Sequence, residues 1–280
     1  MSVLEAILRG IVQGLTEFLP ISSSGHLILV PWLQDYTYLQ ENDSFHRTFD
    51  VALHAGTLVA VVSYFWSDLL GMARGVLRTL RTRTIMTIDE RLGWAVVVGT
   101  IPAVIVGGLG EDFLDDNLGE PWMIAILLIV FGIVLAICDR LPQRRAIGSL
   151  SVREGLYLGV AQALALAPGV SRSGVTISAG RFLGLDRDSA ARIAFLLLVP
   201  AVAGATALKG FGVIQDGLPD GVIAPMVAGM TASAVASYAA IAWMLAYVRK
   251  RSYDIFVVYR IFAGFLVLAL IAANVRPATF

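Results

Sequence analysis

Two short segments of the chain place hydroxyl, carboxylate, imidazole and guanidinium groups next to residues that break helices. The first reads Gln-Gly-Leu-Thr-Glu-Phe-Leu-Pro-Ile-Ser-Ser-Ser-Gly-His over residues 13–26. The second reads Pro-Gly-Val-Ser-Arg-Ser-Gly-Val-Thr over residues 168–176. In each, serines beside the break can cap a new helix, whose free N–H groups and positive dipole end attract anions. This pattern predicts a site for phosphate oxygens, which Arg172 can bind with two N–H groups.

Several of these groups are candidates for catalysis, and each has a simpler alternative. Gln13 and Glu17 are four residues apart and would share one helix face. His26 follows closely enough to join Glu17 and Ser23 in a catalytic group, although it could be a buried histidine of the interior. Glu17 could instead only pair with Arg172, and the neighbouring serines, Ser22 and Ser24, could be turn and cap residues. Within the first segment, Thr16 is expected to serve helix packing. Outside the two segments, packing or solvent roles are expected for His46 and His54, and interface positions for Lys209 and Arg260.

Composition identifies the class of protein. Of 280 residues, 57% are hydrophobic and 15% charged, and the mean hydropathy of +0.77 is too high for a soluble core to accommodate. The 21 basic and 21 acidic residues balance, which removes the electrostatic argument for nucleic-acid binding. The lone cysteine, Cys138, lies in an apolar run and is expected to be a buried thiol. We therefore expect an all-α integral membrane protein.

Six apolar runs are long enough, or nearly so, to cross a bilayer, which takes about 17–25 residues. They cover residues 51–67, 92–110, 121–138, 193–208, 221–248 and 255–275. Two further apolar stretches, residues 10–34 and 155–177, are interrupted by Pro20 and by Pro168-Gly169 and carry polar residues in their middle. These two are poor candidates for simple spans.

Charge distribution orients the spans, because connections rich in Lys and Arg stay in the cytoplasm. Arginines concentrate in the connections at 74–91, 140–153, 181–192 and 249–260, which are predicted to be internal. Acidic residues fall at 35–50, 111–120 and 216–220, which are predicted to be external. The broken segments, residues 2–34 and 151–181, must then leave by the side on which they entered. Both are predicted to be re-entrant helical hairpins.

An internal repeat supports this topology. A shift of 149 residues gives ten identities over residues 2–28: Ser2, Val3, Glu5, Gly10, Gln13, Leu15, Ser22, Ser24, Gly25 and Ile28 recur at 151, 152, 154, 159, 162, 164, 171, 173, 174 and 177. Each half, residues 1–140 and 150–280, then holds one hairpin and three spans within a single membrane domain. The odd number of spans predicts an inverted-topology repeat with its site between the two tips. Both copies open with Ser-Val-x-Glu, which predicts a capping box.

The two polar segments closely resemble the signature motifs of the undecaprenyl-diphosphate phosphatases, the bacterial bacitracin-resistance membrane phosphatases, and the likeness covers nearly the whole chain. The resemblance implies hydrolysis of the terminal phosphate of undecaprenyl diphosphate at the outer face of the cytoplasmic membrane, which recycles the lipid carrier for peptidoglycan synthesis. It implies catalytic roles for Glu17, Ser23, His26 and Arg172, and a divalent cation, Mg²⁺ or Ca²⁺, held by Glu17 and Gln13. Phosphate binding is expected of Gln13, Ser22, Ser24, Gly25, Ser171, Ser173, Gly174 and Thr176. The chain departs from the family's pattern at Arg192-Ile193-Ala194-Phe195, where a Phe-Ser-Phe run is expected.

The residues suggest a mechanism with open alternatives. Ser23 would attack the terminal phosphorus or position a water, and His26 would take the proton or protonate the leaving oxygen. Glu17 would hold the cation or orient the base. The runner-up is a secondary transporter or flippase for an anionic lipid, since inverted repeats with broken helices are a transporter architecture. A purely structural membrane subunit is a weaker alternative, and the oligomeric state stays open, with a homodimer as one alternative.

Overall fold

The computed structural model describes residues 1–34, 43–216 and 222–279, except for the side chains of 43–48, 109–117, 209 and 212–216. Of the predicted acidic outer segments, residues 35–42 and 217–220 lie outside the described residues, as does the side chain of Lys209, whereas residues 43–50 and 111–118 belong to long helices instead of loops. The described part is all-helical, with two short 3₁₀ turns at Ile147–Ser149 and Leu164–Leu166. Its α-helices are α1 (Val3–Phe18), α2 (Ser23–Gln34), α3 (Asp43–Tyr64), α4 (Trp66–Thr82), α5 (Ile88–Leu118), α6 (Pro121–Asp139), α7 (Val152–Ala163), α8 (Arg172–Phe182), α9 (Arg187–Asp216), α10 (Ile223–Val248) and α11 (Asp254–Ala272).

Helix starts follow the capping signals in the sequence. The Ser151 hydroxyl accepts from the backbone N–H of Glu154, whose carboxylate accepts from Ser151 N in return, so the predicted capping box of α7 is confirmed. At α1 the Ser2 hydroxyl accepts from Glu5 N at 3.2 Å. The Glu154 carboxylate also receives two hydrogen bonds from Arg145, which together with the bonds from Ser151 lower its pKa to about 2.

Five of the described helices are long and apolar enough to cross a membrane: 88–108 of α5, α6, 187–208 of α9, α10 and α11. They coincide with five of the six predicted spans, and α6 agrees with its prediction to within one residue. A sixth candidate is the pair α3 and α4, which passes the same test only when taken together. Cys138 is buried in α6 as a free thiol, as predicted.

One part of the first arginine-rich connection is not a loop. Residues 66–82 form α4, which turns away from α3 by 82° at Phe65. The five arginines between 74 and 91 predict a connection between spans, and most of that connection is helical instead of irregular. The helix instead packs on the start of α5 through close contacts at Gly71 and Gly75.

Buried ion pairs hold together the ends of four helices at the arginine-rich end of the bundle. The carboxylate of Asp139, at the end of α6, accepts two hydrogen bonds from Arg187 at 2.6 and 3.0 Å and one from Tyr253 N at 3.1 Å. Arg181, at the end of α8, lies 3.4 Å from the same carboxylate and is fully buried. This cluster fixes the starts of α9 and α11 against the ends of α6 and α8.

Each broken segment begins and ends at one end of the bundle. Arg145 joins the start of α7 to the end of α8 through bonds to Glu154 and to the carbonyl of Leu183. At the opposite end, α1 begins beside the start of α10, in a cluster of Ala6 with Val222 and Met226. There α2 ends against the C-terminal segment, where Trp32 donates to Pro277 O at 3.1 Å.

The same close helix crossing occurs twice, 149 residues apart. In α1, a Cβ atom at Gly10 would collide with the carbonyl oxygen of Gly229 in α10. In α7, a Cβ atom at Gly159 would collide with the carbonyl oxygen of Gly99 in α5. Glycine at these positions lets α1 approach α10 closely and α7 approach α5 closely. The two broken segments are thereby brought together tip to tip.

Candidate active site

The two hairpin tips share one unusual backbone conformation. Ser22, just before α2, has φ of 77°, and Ser171, the N-cap of α8, has φ of 74°. These values lie in the left-handed region that serine rarely adopts. In both tips the strained serine accepts a hydrogen bond from the glycine three residues on: Gly25 N at 3.3 Å and Gly174 N at 3.1 Å. Each tip therefore aims the N-terminus of a half-helix at the space between them.

A buried arginine from α11 ties the tips together. Arg260 is fully buried and donates to the carbonyls of Pro20 at 3.1 Å, Gly169 at 2.8 Å and Val170 at 3.0 Å, and also to Leu127 and Leu128 near the middle of α6. The expectation that this arginine extends to an interface was wrong. Among the described residues it has hydrogen bonds to carbonyls and no carboxylate partner, so its charge stays at the tips.

Glu17 lies at the centre of the candidate catalytic group. Its carboxylate is buried and accepts hydrogen bonds through Oε2 from the Ser23 hydroxyl at 2.5 Å and from Gln13 Nε2 at 3.1 Å. A distance of 2.5 Å is typical of a strong O–H···O⁻ hydrogen bond to an ionised acceptor. The structure therefore pairs a serine hydroxyl with a carboxylate that can accept its proton.

Arg172 faces the same carboxylate from the other tip. Its Nη1 lies 3.9 Å from Glu17 Oε1, too far for a direct hydrogen bond but close enough for strong attraction in a buried site. Nη1 is buried and has no hydrogen-bond partner among the described residues. An unsatisfied guanidinium N–H at this depth is costly, which indicates a site for an anionic oxygen.

His26 does not contact Ser23 through either ring nitrogen. Its Nδ1 lies 2.6 Å from the carbonyl of Ser22, so Nδ1 carries a proton, and its Nε2 lies 2.5 Å from the hydroxyl of Tyr259. In the neutral ring Tyr259 therefore donates to Nε2, and the two rings also stack with centroids 5.6 Å apart. Sequence reasoning missed Tyr259, whose only signal is its place beside Arg260 on an apolar helix.

Other predicted residues lie at the tips in several roles. The Ser22 hydroxyl accepts from Gly169 N of the opposite tip at 3.1 Å, and Ser173 donates to Leu19 O at 3.0 Å, so both cross-link the hairpins. Thr176 is fully buried with no hydrogen-bond partner for its hydroxyl within the described part of the chain. Weaker hydroxyl contacts join Ser24 to Ser22 at 3.5 Å and Ser171 to Ser173 at 3.3 Å.

The two histidines outside the motifs and Thr16 are not expected to take part in catalysis. His54, on α3, bonds through Nδ1 to the carbonyl of Asp50 at 2.8 Å and lies near enough to act electrostatically on Glu17. The side chain of His46 lies outside the described residues. Thr16 is buried and bonds back to Val12 O at 2.7 Å, as expected of a packing residue.

One oxygen at the site could serve a cation. Gln13 Oε1 is buried and has no hydrogen-bond partner among the described residues. Together with the Glu17 carboxylate it offers the amide and carboxylate oxygens that Mg²⁺ and Ca²⁺ prefer. Nowhere in the described chain do three or more His, Cys, Asp or Glu side chains gather as a metal cluster. A cation here would therefore need further oxygens, such as those of a phosphate.

Comparisons with known proteins place this geometry in context. The family model of the bacitracin resistance protein BacA matches residues 6–266. A protein of Thermomicrobium roseum is 44% identical over 285 residues, covering 99% of this chain and all of its own length, and is named undecaprenyl-diphosphatase. Proteins with the same name in Pelobacter propionicus and Geobacter sulfurreducens are 42% and 44% identical, each over 98% of this chain and 99% and 100% of their own.

Replacing Arg260 by leucine is expected to destabilise the protein strongly. The change leaves the buried carbonyls of both tips without a donor, at about 1–3 kcal/mol for each one. We expect Arg260→Leu to lose at least about 3 kcal/mol in the free energy of unfolding. The stability of Arg260→Lys should lie between those of the wild type and Arg260→Leu, because lysine keeps the charge but not the fork geometry of the guanidinium. Thermal unfolding in detergent measures this, with the exposed Arg251→Gln as a control. Unchanged stability in Arg260→Leu would contradict the proposal that Arg260 holds the two tips together.

Proposed function

The chain belongs to the family of the bacitracin resistance protein BacA, and from this we infer that it is an undecaprenyl-diphosphatase. It hydrolyses undecaprenyl diphosphate to undecaprenyl phosphate and inorganic phosphate, which recycles the lipid carrier of cell-wall synthesis and confers bacitracin resistance. The observation that carries this assignment at the site is the Ser23 hydroxyl, which is bonded at 2.5 Å to the Glu17 carboxylate, while Glu17 itself faces the Arg172 guanidinium of the opposite tip. This combination supplies a nucleophile, a proton acceptor and a phosphate-binding cation.

The first step we propose is attack by Ser23 Oγ on the terminal phosphorus. The hydroxyl proton passes to Glu17 Oε2, the new O–P bond forms, and the bond from that phosphorus to the bridging oxygen breaks. Undecaprenyl phosphate leaves as an anion. Water then attacks the phosphoserine: the water oxygen bonds to phosphorus, the Oγ–P bond breaks, Ser23 Oγ takes back the proton held by Glu17, and both water protons leave with inorganic phosphate. A direct attack by water hydrogen-bonded to Ser23 and Glu17 would give the same products.

Arg172 and the helix ends would stabilise the transferring phosphoryl group. Catalysis of phosphoryl transfer rests mainly on positioning and on charge stabilisation, since the transition state carries its charge on the three equatorial oxygens. Arg172 Nη1, which has no hydrogen-bond partner among the described residues, is available to one of these oxygens. The N-termini of α2 and α8 add backbone N–H groups and positive dipole ends.

The contacts of His26 support a different role from the expected one of general acid or base. With Nδ1 bonded to the Ser22 carbonyl and Nε2 to Tyr259, the ring is suited to hold the tip that presents Ser23. We therefore propose Glu17 as the proton acceptor and His26 as a positioning residue. The Ser22 carbonyl that it binds precedes the nucleophile directly in the chain.

Loss of either partner of the Ser23–Glu17 pair is expected to abolish most turnover. Ser23→Ala and Glu17→Gln should each lower kcat by about 10²–10⁴-fold, the usual contribution of acid–base and nucleophilic groups. Phosphate release by purified protein from a prenyl diphosphate measures this, and Ser63→Ala, an exposed serine on α3, is the control. A phosphorylated Ser23 trapped by acid quench would establish the covalent route. Near-normal turnover of Ser23→Ala would exclude it.

Two further measurements separate the alternatives. If Glu17 is the base, the acid limb of the kcat/KM pH profile should persist in His26→Gln; its disappearance would return that role to His26. Wild-type turnover in Arg172→Ala would overturn the whole site. Absence of phosphate release, with labelled lipid crossing proteoliposomes, would favour the transporter alternative.

We also propose that a divalent cation acts at this site, held by Glu17 and by Gln13 Oε1. When bound, the cation would neutralise charge on the diphosphate oxygens. We expect chelation to lower phosphate release, and Gln13→Leu to raise the cation concentration needed for half-maximal activity. Cation binding to the substrate-free protein, followed by its effect on thermal unfolding, should weaken in the same variant. Equal cation dependence in wild type and Gln13→Leu would remove Gln13 from the cation site.

For topology we propose six spans, with α3 the first, and two re-entrant hairpins in an inverted repeat within the bacterial cytoplasmic membrane. The repeated glycine crossings, the matching left-handed serines and the return of each hairpin to its own end support this arrangement. The arginine-rich end would face the cytoplasm, and the tips would open to the outer face.

Labelling of single cysteines tests this topology. In a Cys138→Ala background, cysteines replacing Leu4 and Leu33 lie near the two ends of the first hairpin, and those replacing Arg153 and Phe182 lie at the ends of the second. An impermeant maleimide should label the first pair in intact cells and the second pair only after permeabilisation. A hairpin whose two ends are labelled from opposite sides would cross the membrane and contradict the proposal.

A further inference from the structure

Helix α4 presents three distinct faces. Its inner face packs on the start of α5: Met72 and Thr79 are buried, and a Cβ atom added at Gly75 would lie 2.9 Å from Glu90 N. A second face is apolar and uncovered, with Trp66, Leu77 and Leu80 each about 60% exposed. Because a helix turns 100° per residue, spacings of 11 and 14 residues from Trp66 return to the same side.

A stripe of arginines borders the apolar face. Arg74, Arg78 and Arg81 are spaced by four and three residues, so they share one side of the helix, and all are exposed. Arg78 lies 3.8 Å from the buried Glu90 while its own side chain is 69% exposed. Two other acidic groups lie nearby: Asp89 faces Gly71 on the inner side, and Asp68 is exposed in the first turn of α4. Since three exposed arginines outnumber this one exposed carboxylate, the outward charge of α4 is positive.

The orientation of α4 explains why this helix carries an exposed apolar face next to a stripe of arginines. Its axis is turned by 82° from α3, which runs along the bundle, so α4 lies across the bundle at its arginine-rich end. An uncovered apolar stripe beside a basic stripe is typical of a helix in the plane of a membrane surface. A water-exposed helix would gain nothing from three large apolar side chains on one side.

We propose that α4 lies in the membrane surface and binds anionic phospholipid headgroups. Trp66, Leu77 and Leu80 enter the boundary between headgroups and acyl chains, and Arg74, Arg78 and Arg81 contact the phosphates of lipids such as phosphatidylglycerol. Charge complementarity favours anionic over zwitterionic lipids at this surface, because a zwitterionic headgroup offers no net charge to three adjacent guanidinium groups. This inference is independent of the phosphatase assignment.

Lipid selectivity tests the basic stripe. Full-length protein in phosphatidylcholine vesicles is probed with spin-labelled phosphatidylglycerol and spin-labelled phosphatidylcholine, and the motionally restricted fraction of each is compared. Since each arginine near an anionic surface contributes about fivefold to lipid affinity, we expect the preference for phosphatidylglycerol to fall severalfold in R74Q/R78Q/R81Q. Added salt should weaken the wild-type preference.

The matched control removes three cations from the same end of the bundle. R144Q/K250Q/R251Q replaces exposed basic residues outside α4 and should keep the preference. Phosphate release in detergent checks that both triple variants are folded. An equal loss of preference in the two variants, or no loss in either, would overturn the proposal.

Depth measurements test the apolar stripe. On the Cys138→Ala background, a nitroxide placed by Leu77→Cys should lie about 5–10 Å below the headgroup boundary, with high oxygen and low aqueous nickel accessibility. A nitroxide at Arg78→Cys, one residue on, should be accessible to nickel. If both positions are equally accessible to nickel, α4 does not lie in the membrane and the proposal fails.

Discussion

The fold depends on how backbone groups are satisfied where two helices break inside an apolar bundle. A broken helix frees carbonyls at one end and N–H groups at the other, and a membrane interior offers no water to pair with them. Here Arg260 donates to carbonyls of both tips, and the Ser22 hydroxyl accepts N–H groups from both. Each tip therefore supplies hydrogen-bond partners to the other. Arg260 also places a positive charge, with no carboxylate partner among the described residues, next to the proposed phosphate site.

The helices and the tips could be predicted from the sequence because their signals are local. Apolar runs of bilayer length, Ser-x-x-Glu caps and proline or glycine beside serines each act over a few residues, and the structure has helices, caps and breaks at those places. The charge pattern was also informative about the ends, since Asp139, Arg181 and Arg187 form a buried cluster at the predicted inner end.

Contacts between residues far apart in the chain could not be predicted from the sequence. Arg260 sits in an apolar run like a residue that extends to an interface, but its acceptors lie between 90 and 240 residues away in the chain. The spacing of Ser23 and His26 could not reveal that the imidazole points to Tyr259, 233 residues on. Within α4, the closely spaced arginines indicate a connection between spans. The amphipathic pattern of the helix becomes visible only once the structure shows which of its faces packs on α5.

The repeat explains the scaffold, and its departures explain the chemistry. Gly10 and the serines that cap the helices recur at the equivalent positions, where they allow the close crossings and the turns, and Gln13 recurs as Gln162. The groups proposed for the chemistry do not recur: Glu17, Ser23 and the positioning residue His26 correspond to Leu166, Arg172 and Val175. Two facing tips with identical side chains would bring like charges together, at a cost in a site of low dielectric constant. A carboxylate on one tip and a guanidinium on the other attract instead, and the anionic substrate needs both the proton acceptor and the cation. In the proposed mechanism, divergence of the two sequence repeats at these positions is therefore what turns a pair of anion-attracting helix ends into a site that can break a phosphoanhydride bond.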